Sequence, residues 1–451
     1  MNEGAEEAGV DVLIAGGGVA GVAAAAALAP LGLTIQIVEP GPAHWRRLAG
    51  ELIHPPGVDG LRALGLLDDA ARDTASPVAG FAIFRDSDRA EPVAEILSYD
   101  DRPESSVCGL VIEHQQLKEA LLAKVRSFPT VTVRFNALVS AMECDGDGSF
   151  GAIVRDEHGE TRVGAKLVVA ADGPLSRVRK LIGIPHTTRR YSTMLGIEVD
   201  DAHLPQKGYG NIFLSPAGVS YAYAMGRGRA RVMFEVLLDA DARDSILVQL
   251  TRFPAVFRAD VETVLSCTKP LAALNVCIVP KNSIKANVAL IGDARGCCHP
   301  LTASGITAAV KDSLILRDAL REKRMDIPAA LRVYARRGDR LQLTRRMLVE
   351  ELREAFLAQT PEARLLCQCI FSYWRRNPEG RQRSMALLSM LDGSILSLAT
   401  QYAAVVRQAF LLIPRWRREE TLADWSRGVL ALSRKSLRFQ RAVIDHRRRR
   451  R

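Results

Sequence analysis

Four short, mostly apolar runs at residues 10–15, 33–38, 167–171 and 288–291 each stop at a glycine or an acid. Runs of this length fit strands covered on both faces of a parallel sheet. Between the first two lies the alanine-rich "VAGVAAAAALAP", so residues 10–39 read as strand, turn, helix, strand. Residues 186–280 behave differently. "NIFLSPAGVSYAYAM" and "ARVMFEVLL" show strand-like alternation and no glycine-rich turn before a helix. Beyond Asp318 the spacing becomes helical in "RRMLVEELREAFLAQ" and in the long apolar "SMALLSMLDGSILSLATQYAAVVRQAFLLIPRW". The pattern predicts an α/β fold. Its Rossmann-like dinucleotide-binding domain is assembled from residues 1–75, 106–185 and 281–350, and its inserted β-rich substrate domain from 76–105 and 186–280. Residues 351–451 form a C-terminal helical, basic region.

The first turn reads Gly16-x-Gly18-x-x-Gly21, with Val19 and Ala20 opening the helix. Gly16 allows the tight turn, Gly18 a close approach of backbone to a pyrophosphate, and Gly21 close packing of helix on strand. The second strand ends in Glu39, placed to accept hydrogen bonds from an adenosine ribose and to disfavour a 2′-phosphate. This turn alone does not separate NAD from FAD. The two later strand ends also deliver acids: Asp172-Gly173, followed by Ser176 and Arg179, and Gly292-Asp293, followed by a helix from about Gly305.

A length of 451 residues implies two domains or a domain with an appendage, and 48% hydrophobic against 25% charged residues suffices for a large core. The start "MNEGAEEAGV" lacks a secretory signal, and the longest uncharged stretch near the end, 14 residues, is too short to span a bilayer. Eight cysteines without a CxxC read as reduced cytosolic thiols. Cys297-Cys298-His299 lacks the spacing of a metal site. Residues 401–451 hold 14 basic and 4 acidic side chains, which accounts for the entire net charge of +10. This basic end points to an anionic membrane surface; without interleaved aromatics it makes a poor nucleic-acid site. The apolar segment before it reads either as a packed helical pair or as a surface lying on lipid through residues 385–451. Tyr221 and Tyr223, two apart on one strand, face one side, either of a substrate pocket or of an ordinary half-buried sheet.

The glycine fingerprint, the "DG" motif and the "GD" motif, in that order, resemble the group A FAD-dependent monooxygenases. "HPLTASGITAAVKDSLILRD" and "GELIHPPGVDGLRALGL" are most similar to the squalene-epoxidase branch, whose segments read close to HPLTGGGMT and GELLQPGG. The resemblance implies FAD held by Gly16, Gly18, Val19, Ala20 and Gly21 at the pyrophosphate, Glu39 at the ribose and Arg47 near the adenosine. It places Asp172 and Gly173 by the pyrophosphate, Asp293 at the ribityl chain, and Pro300, Gly305 and Ile306 along the flavin ring, with Val139 at the adenine. It also implies NADPH or NADH as a transient reductant and an oxygen adduct at flavin C4a. One oxygen then passes to a lipophilic isoprenoid or a prenylated aromatic such as a quinolone, in a cytoplasmic, peripherally membrane-bound enzyme. No catalytic acid or base stands out. Pro40 replaces an arginine of many relatives, Ala303 and Ser304 replace two glycines, and the helix start "R-x-x-L" reads His114-Gln115-Gln116-Leu117. Two other readings are an isoprenoid double-bond reductase on the same fold and a flavin-containing membrane or RNA adaptor without activity.

Overall fold

The computed structural model of the protein describes residues 6–41, 48–67, 75–85, 94–101, 107–146, 148–412, 425–433 and 435. The chain divides into two compact units, one drawn from residues 1–75, 112–190 and 276–342, the other from 76–111, 191–275 and 343–451.

The first unit is organised by an eight-stranded sheet. Strand Glu6–Ala15 lies parallel between Ile35–Glu39 and Gly159–Ala170. Val131–Phe135 adds in parallel beyond Ile35–Glu39, and Val288–Leu290 beyond Gly159–Ala170. The register sets Ala15 opposite both Val38 and Ala170, and Ala170 opposite Leu290. The carboxyl ends of four strands therefore finish level with one another. Leu13, Val38, Val168 and Leu290 are buried in one cluster, as expected for strands covered on both faces. The strands extend further toward their amino ends than the apolar runs suggest. The charged stretch "GETRVGAK" pairs in antiparallel register with Phe150–Asp156, and Leu138–Cys144 adds to that ribbon. An antiparallel ribbon with a wet face needs no apolar run to form.

Helix Val19–Leu28 follows the first strand and buries nine of its ten residues. Its alanines keep the helix thin, so that it also packs against helix Gly305–Glu322. The turn between strand and helix depends on absent side chains. Gly16 adopts φ +103°, and a Cβ there would lie 2.6 Å from the Ala171 carbonyl oxygen. A Cβ on Gly21 would sit 1.9 Å from the Gly16 oxygen.

The second unit holds a seven-stranded sheet in the order Leu271–Pro280, His186–Asp200, Arg229–Leu237, Ser220–Gly226, Gly210–Phe213, Gly80–Phe84, Ala94–Ser98. Phe84 and Phe213 stack at 4.7 Å, and Phe253 and Phe257 extend the aromatic core to helix Ala255–Cys267. Helices Pro361–Arg376, Pro378–Leu388 and Ile395–Val406 pack on one another, and the second of them also touches strand Ala94–Ser98. No helix among the described residues is long and apolar enough to cross a membrane.

The strand–helix turn yields the first prediction. Gly21→Ala must push the turn open, at a cost of about 3 kcal/mol for an overpacked buried site. Urea unfolding will show the lost stability, and the purified variant will carry little flavin while Ala23→Gly, one turn-internal control, retains it.

Candidate functional site

The level strand ends are tied to one another by main chain. Gly16 N–H donates to the Val38 carbonyl at 2.8 Å, Ala171 N–H to Ala15 at 2.8 Å, and Ile291 N–H to Ala170 at 3.0 Å. Gly292 closes the group, since a Cβ there would meet the Cβ of Ala20 at 2.7 Å. Gly16, Gly18, Val19, Ala20 and Gly21, the Asp172-Gly173 turn and the Gly292-Asp293 turn are thus gathered at one edge of one sheet. At Gly18 a Cβ would point into open space, and no side chain caps the helix that starts there. Uncapped amides at a helix start suit an anion.

Glu39 is 8% exposed and occupied on both oxygens. Oε2 accepts from Gly17 N–H at 2.6 Å, and Oε1 from Lys118 Nζ at 2.9 Å. The carboxylate therefore braces the glycine turn from outside and keeps lone pairs for a further donor. Lys118 escaped the sequence reading because it stands one residue beyond the segment 114–117, where the arginine motif is sought.

Asp172 carries an unusual feature. Its Oδ2 accepts from Val178 N–H at 2.9 Å, whereas its Oδ1 is buried and has no hydrogen-bond partner among the described residues. Behind it Arg179 is fully buried and donates to the carbonyls of Ala294 and Pro174, each at 2.8 Å. Burial lowers its pKa, while the neighbouring Asp172 and Cys297 pull it back up. One guanidinium thus fastens the second strand-end turn to the third.

The third turn is held by a second buried arginine. Arg295 reaches Asp312 at 3.0 Å and Asp339 at 2.9 Å, and it lies 4.3 Å over the Tyr334 ring. Asp312 also accepts from Gly292 N–H at 3.1 Å, and Tyr334 Oη donates to the Leu290 carbonyl at 2.5 Å. Burial alone would lower the Arg295 pKa, but Tyr334 and the two carboxylates outweigh it and hold the group above its ordinary value. A signal for this cluster exists in the sequence: Asp312 is an acid on a helix face otherwise made of Ala308, Ala309, Leu316 and Ala319.

Beyond Asp293, which is exposed at its strand end, comes the loop of Pro300 to helix Gly305–Glu322. His54 is the residue sequence reasoning missed here. It is 0% exposed, its Nε2 lies 2.7 Å from the Thr302 carbonyl, and its N–H donates to Thr307 Oγ1 at 3.2 Å. Helix Pro55–Ala63 then packs on the loop's helix through Gly57 and Gly60, where a Cβ would meet Thr307 at 2.6 Å and Val310 at 2.4 Å. Gly50 approaches Ile306, whose side chain is 7% exposed. Ala303 sits at φ 48°, the left-handed region, at a cost of about 1 kcal/mol for a residue with a Cβ. The loop is therefore pinned from outside rather than relaxed by glycine.

The remaining expected positions fall elsewhere or serve the core. Arg47 lies outside the described residues. The Val139 side chain is buried in the core with Ala15 and Val38, which leaves its main chain for any ligand contact. Tyr221 and Tyr223 are both buried within the second unit's sheet. The Tyr223 hydroxyl meets Met233 Sδ at 3.9 Å; that of Tyr221 has no partner among the described residues, and burial, then Glu235, raises its pKa. Cys297 pairs by backbone with Ile278, and its thiol faces the Val276 carbonyl.

A tight glycine turn, an open helix start, an acid at the second strand end and an unpartnered buried carboxylate oxygen fit a dinucleotide cofactor. Two further acid-bearing strand ends on the same edge define a flavoprotein of the FAD-binding kind. The FAD binding domain family matches residues 9–325, and the chain belongs to that family. Squalene epoxidase 2, mitochondrial, of Arabidopsis thaliana is 27% identical over 427 residues, 90% of this chain and 72% of its own. Squalene monooxygenase of Rattus norvegicus is 27% identical over 413 residues, 88% of this chain and 70% of its own. Among solved structures, PqsL of P. aeruginosa in complex with 2-aminobenzoylacetate superposes with a TM-score of 0.64 at 22% identity, covering 84% of this chain and 99% of that one. The p-nitrophenol 4-monooxygenase PnpA of Pseudomonas putida DLL-E4 gives 0.62 at 19% identity, covering 86% and 94%. The protein is a flavoprotein monooxygenase, an oxidoreductase, similar along most of its length to squalene epoxidases.

His54 supplies the test of the loop. His54→Leu nearly keeps the volume but strands the Thr302 carbonyl, at about 1–3 kcal/mol for a buried unpaired group. Thermal unfolding of the holoprotein should fall by several degrees and bound flavin should leave on dilution, while His54→Gln, which keeps a donor, restores both.

Proposed function

We propose that this enzyme uses NADPH or NADH and O₂ to epoxidise or hydroxylate a lipophilic isoprenoid or a prenylated aromatic. The observation that carries this reading is the single edge where the three strand-end motifs meet, in a chain related over 88–90% of its length to enzymes named for squalene. Gly16, Gly18, Val19, Ala20 and Gly21 hold the pyrophosphate of FAD, with Asp172 and Gly173 beside it. Glu39 binds the adenosine ribose, the Val139 main chain the adenine, and Asp293 the ribityl chain. Pro300, Gly305 and Ile306 lie along the flavin ring. FAD, when bound, would supply the redox chemistry that links a nicotinamide reductant to O₂.

The protein's own contribution is positional and electrostatic. Helix Gly305–Glu322 starts without a side-chain cap, so its first amides supply fixed positive charge to the electron-rich edge of a reduced ring. His54, Gly57 and Gly60 fix that helix start, and Arg179 and Arg295 fix the turn before it. A rigid amide array of this kind costs no reorganisation when charge develops. The basic residues of 385–451 bring the enzyme to an anionic membrane surface, where lipophilic substrates reside.

The test is turnover with NADPH and squalene, or a prenylated quinolone, with and without O₂. A product carrying one added oxygen atom, formed only in air, is expected. Product formed anaerobically with two added hydrogens would make the enzyme a reductase, and tight RNA binding without flavin reduction by either nicotinamide would make it an adaptor.

A further inference from the structure

We propose that the second unit contains a binding site for a phosphate group carried on an apolar chain, in the cavity between Arg85, Arg375 and Arg376. This cavity has a volume of about 290 Å³, at the small end of ligand pockets. One wall is a single face of helix Pro361–Arg376, where Gln368, Phe371, Ser372, Arg375 and Arg376 recur at three- and four-residue intervals. Arg85, directly after strand Gly80–Phe84, closes the opposite side. Its guanidinium carbon stands 5.0 Å from the Phe371 ring centroid, and Phe371 is itself 1% exposed and packed edge-on to Trp374 at 5.4 Å. The cation is therefore held in place by a ring that is held in place.

Among the described residues, three guanidinium groups line this space and no carboxylate does. Arg375 is satisfied from outside by Glu95 at 2.6 Å, whereas Arg376 makes no ion pair among the described residues. The planar fork of a guanidinium matches the oxygens of a phosphate, which it binds through two parallel charge-assisted hydrogen bonds. Gln368 also lines the cavity; its side-chain oxygen is buried without a partner among the described residues, and a flip of the amide would place an N–H donor at that position. Ser372, which also lines the cavity, reaches Gln408 at 3.3 Å.

The other end of the cavity is apolar. Leu411 and Leu412 line it, and Phe410 and Leu411 are 58% and 54% exposed beside it, a continuous surface for a hydrocarbon chain leaving the phosphate. Two sources present this chemistry: a phospholipid in a membrane, or a free alkyl or prenyl phosphate. The cations concerned precede the basic terminal segment, so the site is separable from non-specific attraction by the arginine-rich end.

The experiment uses the full chain with bound FAD, and Arg376→Glu and Arg85→Gln variants, neither of which touches the strand-end motifs. Calorimetric titration with dodecyl phosphate, below its micellar concentration, should give one site per chain, and dodecanol should give none. Each variant should weaken dodecyl phosphate by at least about tenfold, the worth of one charge-assisted hydrogen bond. Co-sedimentation with phosphatidylcholine vesicles, with and without phosphatidic acid, separates the sources. If the variants lose phosphatidic-acid-dependent binding, the occupant is a membrane lipid; if vesicle binding is unchanged while dodecyl phosphate binding falls, it is a free phosphate. Absence of dodecyl phosphate binding to the wild type, equal affinity for dodecanol, or equal affinity in the variants overturns the proposal.

Discussion

The site rests on main chain touching main chain at the carboxyl ends of four parallel strands. Ala15, Val38, Ala170 and Leu290 are in register, and the hydrogen bonds Gly16 to Val38, Ala171 to Ala15 and Ile291 to Ala170 carry that register into the turns. Where backbones approach this closely a side chain has no room, so the glycines at 16, 21 and 292 follow from the geometry rather than decorate it. A ligand at that edge meets peptide groups first. Recognition of a pyrophosphate by oriented amides then needs few charged side chains, and the described part of the cradle accordingly contains no lysine or arginine aimed at it from the first turn.

Positive charge is spent behind the cradle instead. Arg179 and Arg295 are buried and bond inward, to the carbonyls of Pro174 and Ala294 and to Asp312 and Asp339. A buried ion pair is a poor source of net stability, because desolvation cancels much of the attraction, but removing one partner is expensive. Such clusters define one arrangement and penalise the rest. Here the arrangement they define is the relative placing of the second and third turns, which is the quantity a cofactor spanning both turns requires. His54 and the glycine face of helix Pro55–Ala63 do the same for the loop that follows, where Ala303 keeps a left-handed conformation against its own preference.

Much of this was legible in the residues. Strand, turn, helix and acid between residues 10 and 39 announce the cradle because each has a local signature: apolar run, glycine spacing, alanine pattern, terminal carboxylate. The DG and GD turns were legible for the same reason. What stayed hidden depends on partners distant in sequence. His54 meets Thr302 248 residues away, and Lys118 meets Glu39 79 residues away. No local period marks such pairs. The strand start before residue 167 was hidden for a different reason, since a solvated antiparallel ribbon alternates charge with small residues and so resembles a loop, and the start before residue 10 was hidden with it because it pairs in parallel with that same charged stretch. Tyr221 and Tyr223 were legible as strand residues on one side, yet sidedness alone does not say what a face meets.

Titration of the flavin-free protein with FAD and, separately, with FMN asks most directly whether the level strand ends form a dinucleotide site. FAD should bind one per chain, with quenched fluorescence and at least about 100-fold more tightly than FMN, a difference near 2.7 kcal/mol for the added pyrophosphate and adenosine contacts. Equal affinity for the two, or no binding of either, would contradict the account.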